Sequence, residues 1–226
     1  MSIPSIPQET LAFIESFELP NQQRFLELCA KLGEELYRVN ETTNLTAIPA
    51  DQFWTKHVAD SLSVAKVIPE IKTWNCEMGD IGCGAGFPSL VLAAAFPKLR
   101  ITSIDSTLKK IVFVEETASA MGLGNLRCEH GRGIEMGRQQ QWRNRFKFMT
   151  ARAVGALPKL MTETAALVNK EGVLAVFRTP KQCQEELDAL KLAPVASSAA
   201  WKVTDTEPFD LPSGAGQRNF ILCRRS

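Results

Sequence analysis

From Cys76 to Arg178 the chain alternates short strand-like runs with helical ones, and this alternation limits the fold more than any other feature. The strand-like runs are Cys76–Ile81, Arg100–Asp105, Leu126–His130, Phe146–Ala151 and Gly172–Arg178. The helical runs between them are Leu90–Phe96, Lys109–Met121 and a stretch near Pro158–Val168. Strands joined through helices pair in parallel, because each crossover returns the chain to the same end of the sheet, and the helices then cover both faces. The end of the chain departs from this pattern. Ala200–Thr206 and Arg218–Arg224 are strand-like and flank Pro212-Ser213-Gly214-Ala215-Gly216, which predicts a terminal β-hairpin with a long loop. The expectation is an α/β, Rossmann-like sheet of five parallel strands with a terminal antiparallel hairpin.

Residues 8–67 carry helical spacing instead. Leu11, Phe13, Ile14 and Phe17 mark one amphipathic stretch, and Phe25, Leu28, Cys29, Leu32 and Leu36 mark a second, with Asn21 placed to cap it. Asn40 to Pro49 breaks the pattern. Beyond it Asp51 is expected to cap a third helix bearing Trp54, Val58, Leu62 and Ala65. The division expected is a helical N-terminal extension over residues 1–70 and a Rossmann-like domain over residues 71–226.

A chain of 226 residues is long enough for one α/β domain with an extension. The longest apolar stretch, Phe87 to Phe96, is interrupted by Pro88 and Ser89 and falls short of the roughly 20 residues a membrane span needs. Met1-Ser2-Ile3-Pro4 lacks the basic start of a secretory signal. The six cysteines are scattered without a C-x-x-C pair, and only His57 and His130 accompany them, so no metal site is expected. Reduced cysteines packed as small apolar residues fit a cytoplasmic protein. Net charge is +1, but its distribution is uneven: residues 1–60 hold nine acids and four bases, whereas Arg127, Arg132, Arg138, Arg143, Arg145, Lys147 and Arg152 fall close together. Such a cluster binds phosphates or forms an ordinary solvated face.

The sharpest local signal is Asp80-Ile81-Gly82-Cys83-Gly84-Ala85-Gly86-Phe87-Pro88, between a strand and a helix. Gly82, Gly84 and Gly86 allow a tight turn and close ligand approach, and the helix start offers free N–H groups. A dinucleotide fingerprint would place glycine where Phe87 stands. Asp80 would repel a pyrophosphate, whereas an acid suits the amino group and sulfonium of S-adenosylmethionine. Asp105 ends the next strand, 23 residues after Gly82, where a carboxylate accepts ribose hydroxyls. The segment from Gly131 follows the third strand, where adenine is expected. There the backbone of Gly133 and Ile134 and the side chain of Glu135 are candidates to read its edge. No metal is needed for such a cofactor.

The acceptor chemistry is narrowed by absence. After the fourth strand stands Thr150-Ala151-Arg152-Ala153-Val154, not the acidic or Asn residue with Pro-Pro-aromatic used for exocyclic amines. No Pro-Cys pair occurs to supply the nucleophile for pyrimidine carbons. A ring nitrogen such as guanine N7 already has a free lone pair and requires chiefly positioning.

Several separated motifs together resemble one family, the bacterial 16S ribosomal RNA guanine-N7 methyltransferases, also called glucose-inhibited division protein B. They are Asn44-Leu45-Thr46, the His57, Asp60, Ser61 and Leu62 element, Asp80 to Pro88, Asp105-Ser106 with Lys109-Lys110, and Arg152-Ala153-Val154. The resemblance covers roughly residues 30–180. It implies methyl transfer from S-adenosylmethionine to N7 of one guanosine, conventionally guanosine 527, in 16S ribosomal RNA or the 30S subunit, by a cytoplasmic protein. A monomer is expected. Carried over by motif, Asn44, His57 and Arg152 would face the reactive end as catalytic residues. Asp80, Gly82, Gly84, Gly86, Phe87, Asp105, Ser106, Gly133, Ile134, Glu135 and Arg152 would hold the cofactor, and Lys109 and Lys110 would hold RNA phosphates. Two departures stand out. Arg132-Gly133-Ile134 replaces the family's usual Arg-Ala-Glu, with the acid one place later at Glu135. Arg178 and Lys181 stand where a lysine-glycine pair is common, and they are the candidates to replace it in RNA binding. Other readings are a methyltransferase with a different acceptor, a nicotinamide oxidoreductase and a silent RNA-binding module.

Overall fold

The computed structural model describes residues 3–193 and 200–225. Its sheet is ordered β3-β2-β1-β4-β5-β8-β6, with β7 beside β8. The parallel strands are β1 (Glu77–Ile81), β2 (Arg100–Asp105), β3 (Leu126–His130), β4 (Phe146–Arg152) and β5 (Val168–Arg178). The terminal hairpin forms as expected. β6 (Trp201–Asp205) and β8 (Gln217–Arg225) pair antiparallel, and β8 also lies antiparallel to β5. The two-residue β7 (Phe209–Asp210) pairs with the start of β8. Placing β1 centrally with β2 and β4 on either side creates a point where the strand order reverses, and ligands bind in open sheets at the carboxyl ends of strands beside such a point.

α1 (Gln8–Glu15) and α2 (Gln22–Thr43) are the first two helices. Asn21 caps α2 as its sequence predicts, accepting the Arg24 N–H at 3.0 Å. Residues Phe25, Leu28, Cys29, Leu32 and Leu36 are all buried. They join one continuous cluster with Leu90, Val91, Ile111, Phe113 and Phe148, so α2 covers the face formed by α5 (Ser89–Ala95) and α6 (Leu108–Met121). A second cluster fills the other face, under α7 (Gly133–Met136), α8 (Leu157–Thr164) and α9 (Pro180–Leu192).

The third helix differs from expectation. Asp51 lies inside a 3-10 turn and caps nothing, and Phe53–Ala59 is a π-helix running into α3 (Asp60–Leu62) and α4 (Val64–Val67). Trp54, Val58, Leu62 and Ala65 are nevertheless buried. Apolar spacing records which face is inward, but it does not separate α from π winding, which differ by one residue per turn. Sequence reading also misses α9, although Thr179 and Gln182 form a reciprocal capping box at its start. β5 begins earlier than expected, at Val168, with a register shift against β4.

Candidate active site

The glycine loop leaves β1 and is pinned to β2: Gly82 and Cys83 donate their N–H groups to the Ile104 carbonyl at 2.8 and 3.0 Å. Gly82 has φ +67° and a Cβ there would lie 2.2 Å from Val154 Cγ1, so no side chain fits. At Gly84 (φ +57°) a Cβ would meet only open space, with its nearest neighbour 4.0 Å away. That is the close backbone approach a ligand requires. Asp105 stands across from the loop. Its Oδ2 accepts the Gly84 N–H at 3.0 Å and its Oδ1 the Thr107 N–H at 2.8 Å, which fixes the carboxylate and leaves further lone pairs for hydroxyls. Beneath the loop Asp80 is fully buried. Its Oδ1 accepts the Thr150 hydroxyl at 2.8 Å, and Ser89 at the start of α5 also favours its charged form. Burial pushes Asp80 up to about 6 against the opposing pull of Thr150.

These elements enclose a cleft of ≈ 320 Å³ lined by Gly82, Asp105, Ser106, Lys110, Gly133 and Val154, among others. Gly133 belongs there because a Cβ would lie 2.7 Å from the Glu163 carbonyl oxygen. Ile134 and Glu135 are exposed and do not line the cleft. As the first residues of a helix, Gly133 and Ile134 have N–H groups without intrahelical acceptors. Phe87 is buried rather than cleft-lining. Its ring stacks on His57 with centroids 4.1 Å apart, and the Arg152 guanidinium lies 5.5 Å from its centroid.

Arg152 ends β4 and organises a second cleft. It donates to the Lys56 carbonyl at 3.1 Å, to Asp60 Oδ2 at 3.0 Å and to His57 Nδ1 at 3.2 Å. Asp60 is only 4% exposed and also accepts both arms of Arg218, at 2.7 and 2.9 Å. One carboxylate thus holds two arginines. Because arginine only donates, His57 Nδ1 is unprotonated and Nε2–H points to Thr46 Oγ1 at 3.1 Å. Burial first, and the Arg152 charge second, hold His57 well below 6.5, so it is neutral. The π-helix and the first residue of α3 place Lys56, His57 and Asp60 on this one guanidinium. The second cleft, ≈ 250 Å³, is lined by Lys56, Asp60, Arg152, Ala153, Arg178 and Arg218, among others, together with Leu211 and Ala215. Arg152 and Ala153 belong to it, and Val154 and Gly155 to the first cleft, so this short segment is the wall between the two.

Other expected site residues fall differently. Asn44 is exposed in a left-handed conformation at the end of α2. The loop beside it is held by Asn40, whose Oδ1 accepts from Leu45 and Thr46 at 2.6 and 2.9 Å. Lys109 is exposed and reaches the Thr43 carbonyl, whereas Lys181 is exposed beside Glu185. Arg178 lines the second cleft, is 5% exposed, forked onto Glu186, and bonded to the Gly155 carbonyl at 2.6 Å. These bonds brace the wall between the clefts. Asp60 carried the signal of standing three residues after His57. Arg218, 158 positions from Asp60, carried none.

The strand order, the glycine loop and the fixed Asp105 define an S-adenosylmethionine-dependent methyltransferase. The lone pairs left on Asp105, in a cleft lined by Ser106, Lys110 and Gly133, fit that cofactor. Solved structures share the fold: the O-methyltransferase from Bacillus cereus in complex with SAH (TM-score 0.56, 13% identity, 86% of this chain and 90% of that one) and a SAM-dependent methyltransferase from Aquifex aeolicus (TM-score 0.55, 14%, 86% and 98%). The sequence matches the family rRNA small subunit methyltransferase G (GidB) over residues 26–215. Relatives named ribosomal RNA small subunit methyltransferase G include those of Deinococcus radiodurans, 35% identical over 91% of this chain and 78% of that protein, and Exiguobacterium sp., 36% over 92% and 85%. The chain belongs to the rRNA small subunit methyltransferase G family.

Proposed function

We propose that the protein methylates N7 of a single guanosine of 16S ribosomal RNA, conventionally guanosine 527, acting as a monomer in the cytoplasm. The observation that carries this reading is the second cleft. Its carboxylate, Asp60, already accepts three N–H groups from Arg152 and Arg218, and the neighbouring His57 Nδ1 is occupied by Arg152. Neither group is free to remove a proton. An acceptor that attacks with an existing lone pair needs no base, and guanine N7 is such an atom.

S-adenosylmethionine supplies an electrophilic methyl group on its sulfonium. In the first cleft Asp105 would accept the ribose hydroxyls, the amides of Gly133 and Ile134 would meet the adenine edge, and the loop at Gly84 would approach the methionine portion. Ser106 and Lys110 line the same cleft. Arg152 sets the wall across which donor and acceptor face each other. Held by Asp60, which it shares with Arg218, Arg152 holds His57 and the 152–155 segment in position. Lys109, Lys110 and Lys181 are candidates for phosphate contacts. Asn44, exposed beside Thr46, would meet the acceptor strand.

The test is transfer of labelled methyl groups from S-adenosylmethionine to unmodified 30S particles and naked 16S RNA, with the product nucleoside identified by mass. The expected product is 7-methylguanosine at one position. A different methylated nucleoside would overturn the N7 assignment, and labelling of neither RNA would overturn the ribosomal acceptor.

A further inference from the structure

The end of the sheet opposite the two clefts carries a concentration of positive charge that the methyl-transfer site does not use. Arg100 at the start of β2, Arg127 at the start of β3 and Arg145 just before β4 all converge on one carboxylate, Glu77, at 2.9, 3.4 and 3.3 Å. Three cations meet one anion, so the cluster keeps an excess of two positive charges. Arg127 and Arg145 also stack on Trp142, their guanidinium carbons 5.0 and 5.2 Å from its ring centroid. Trp142 is buried, whereas the Arg100 and Arg127 side chains are 53% and 43% exposed. Further along the same sheet end, Lys202 of β6 and Arg224 of β8 are direct cross-strand partners, and both are exposed. Like charges placed opposite one another destabilise a strand pair. This like-charge pair and the excess charge around Glu77 give one surface two places where an anion would be stabilising.

We infer that this end of the sheet is a second RNA-binding surface, which grips backbone phosphates of the ribosomal RNA remote from the nucleotide being methylated. Guanidinium planes fixed by Trp142 and Glu77 lose little freedom on meeting phosphate, and their forked donors match its oxygens. The dimensions suit a large RNA. From β3 to β6 the row crosses six strand spacings, about 29 Å. The five residue rises of β2 separate Arg100 from Asp105 by about 17 Å, so this surface is remote from the cofactor cleft. The inference rests on ribosomal RNA as the substrate, and not on which of its atoms is methylated.

The experiment measures affinity for unmodified 16S RNA against salt concentration, with a short hairpin carrying the target guanosine as a second probe. Arg127→Gln/Arg145→Gln leaves Arg100 to pair Glu77. It is expected to weaken binding of the long RNA about tenfold and to lower the log–log salt slope by about 1.5, the loss of two phosphate contacts. KM for the long RNA should rise with kcat unchanged, and the short hairpin should be methylated as before. Lys202→Gln/Arg224→Gln, on exposed side chains outside the Glu77 cluster, should act in the same direction. Glu77→Gln separates binding from stability: it is expected to lower Tm and yet to tighten long-RNA affinity severalfold. Folded variants with unaltered slope and affinity, or a Glu77→Gln protein that loses stability without binding more tightly, would overturn the surface. A wild-type chain without affinity for ribosomal RNA would overturn the functional reading and this surface with it.

Discussion

Asp60 is the residue on which the reactive wall depends. Its carboxylate, 4% exposed, is shared by Arg152 and Arg218, and removing it strands both cations in low dielectric. Asp60→Asn is expected to cost about 3–5 kcal/mol in urea unfolding and to abolish most methyl transfer. Arg152→Lys should not rescue function, because a single ammonium cannot span Lys56, His57 and Asp60 with planar, fixed donors. At the cofactor cleft, Asp105→Asn turns an amide NH₂ toward the N–H of Gly84 or Thr107, so the dissociation constant for S-adenosylmethionine should rise at least about tenfold by calorimetry. His57 gives stability a pH dependence of defined sign. Its folded value lies below the ordinary 6.5, so the unfolded chain binds the proton first. The contribution is present above 6.5 and is lost as pH falls, by up to about 1.4 kcal/mol per pH unit. Asp80, raised from 3.8 to about 6, acts oppositely: its contribution is present below 3.8 and fades as pH rises through about 6. Comparing wild type with His57→Asn cancels the Asp80 part, and the difference in unfolding free energy should shrink from pH 7 to pH 5.

At the scale of elements, the parallel strands follow from local pattern. β2 and β3 fall at the positions predicted, bounded by the turns that flank them. The helices divide by function. α2 contributes to packing, and its cap stabilises it without touching either cleft. Asn21→Ala should therefore cost about 1 kcal/mol of stability and leave kcat unchanged. The π-helix at Phe53–Ala59 has the opposite character. With the first residue of α3, its winding brings Lys56, His57 and Asp60 to one guanidinium, and such bulges recur at functional sites. The sequence marks this segment by its apolar face and by the spacing from His57 to Asp60, but hides the extra residue per turn.

For the whole molecule, the N-terminal helices share a single core with the sheet, running from Ile14 and Leu36 through Leu90 to Phe148 and Leu222. A chain beginning at residue 41 would expose the α5 and α6 side of that core. It is expected to lose cooperative thermal unfolding and methyl transfer together, as read by calorimetry and the labelling assay. We propose the 1–70 segment as the layer that completes the acceptor side, because Thr46, Ile48, Lys56 and Asp60 all come from it. No helix among the described residues is long and apolar enough to cross a membrane.

The sequence alone determined the parallel sheet with its terminal hairpin, the glycine loop, and Asp105 and Arg152 at strand ends. Each of these is written in nearest neighbours or in a repeat of two or 3.6 residues, so a window of a dozen residues contains it. Tertiary structure decided the rest. It paired Asp60 with Arg218 across 158 positions, buried Arg178 against Glu186, and turned Phe87 onto His57 instead of the cleft. It also gathered Arg100, Arg127 and Arg145 around Glu77 at the far end of the sheet. An arginine has the same local signature whether it ends in solvent, on a carboxylate or on a phosphate. Only the folded neighbourhood, through burial and the number of charges that converge, determines which.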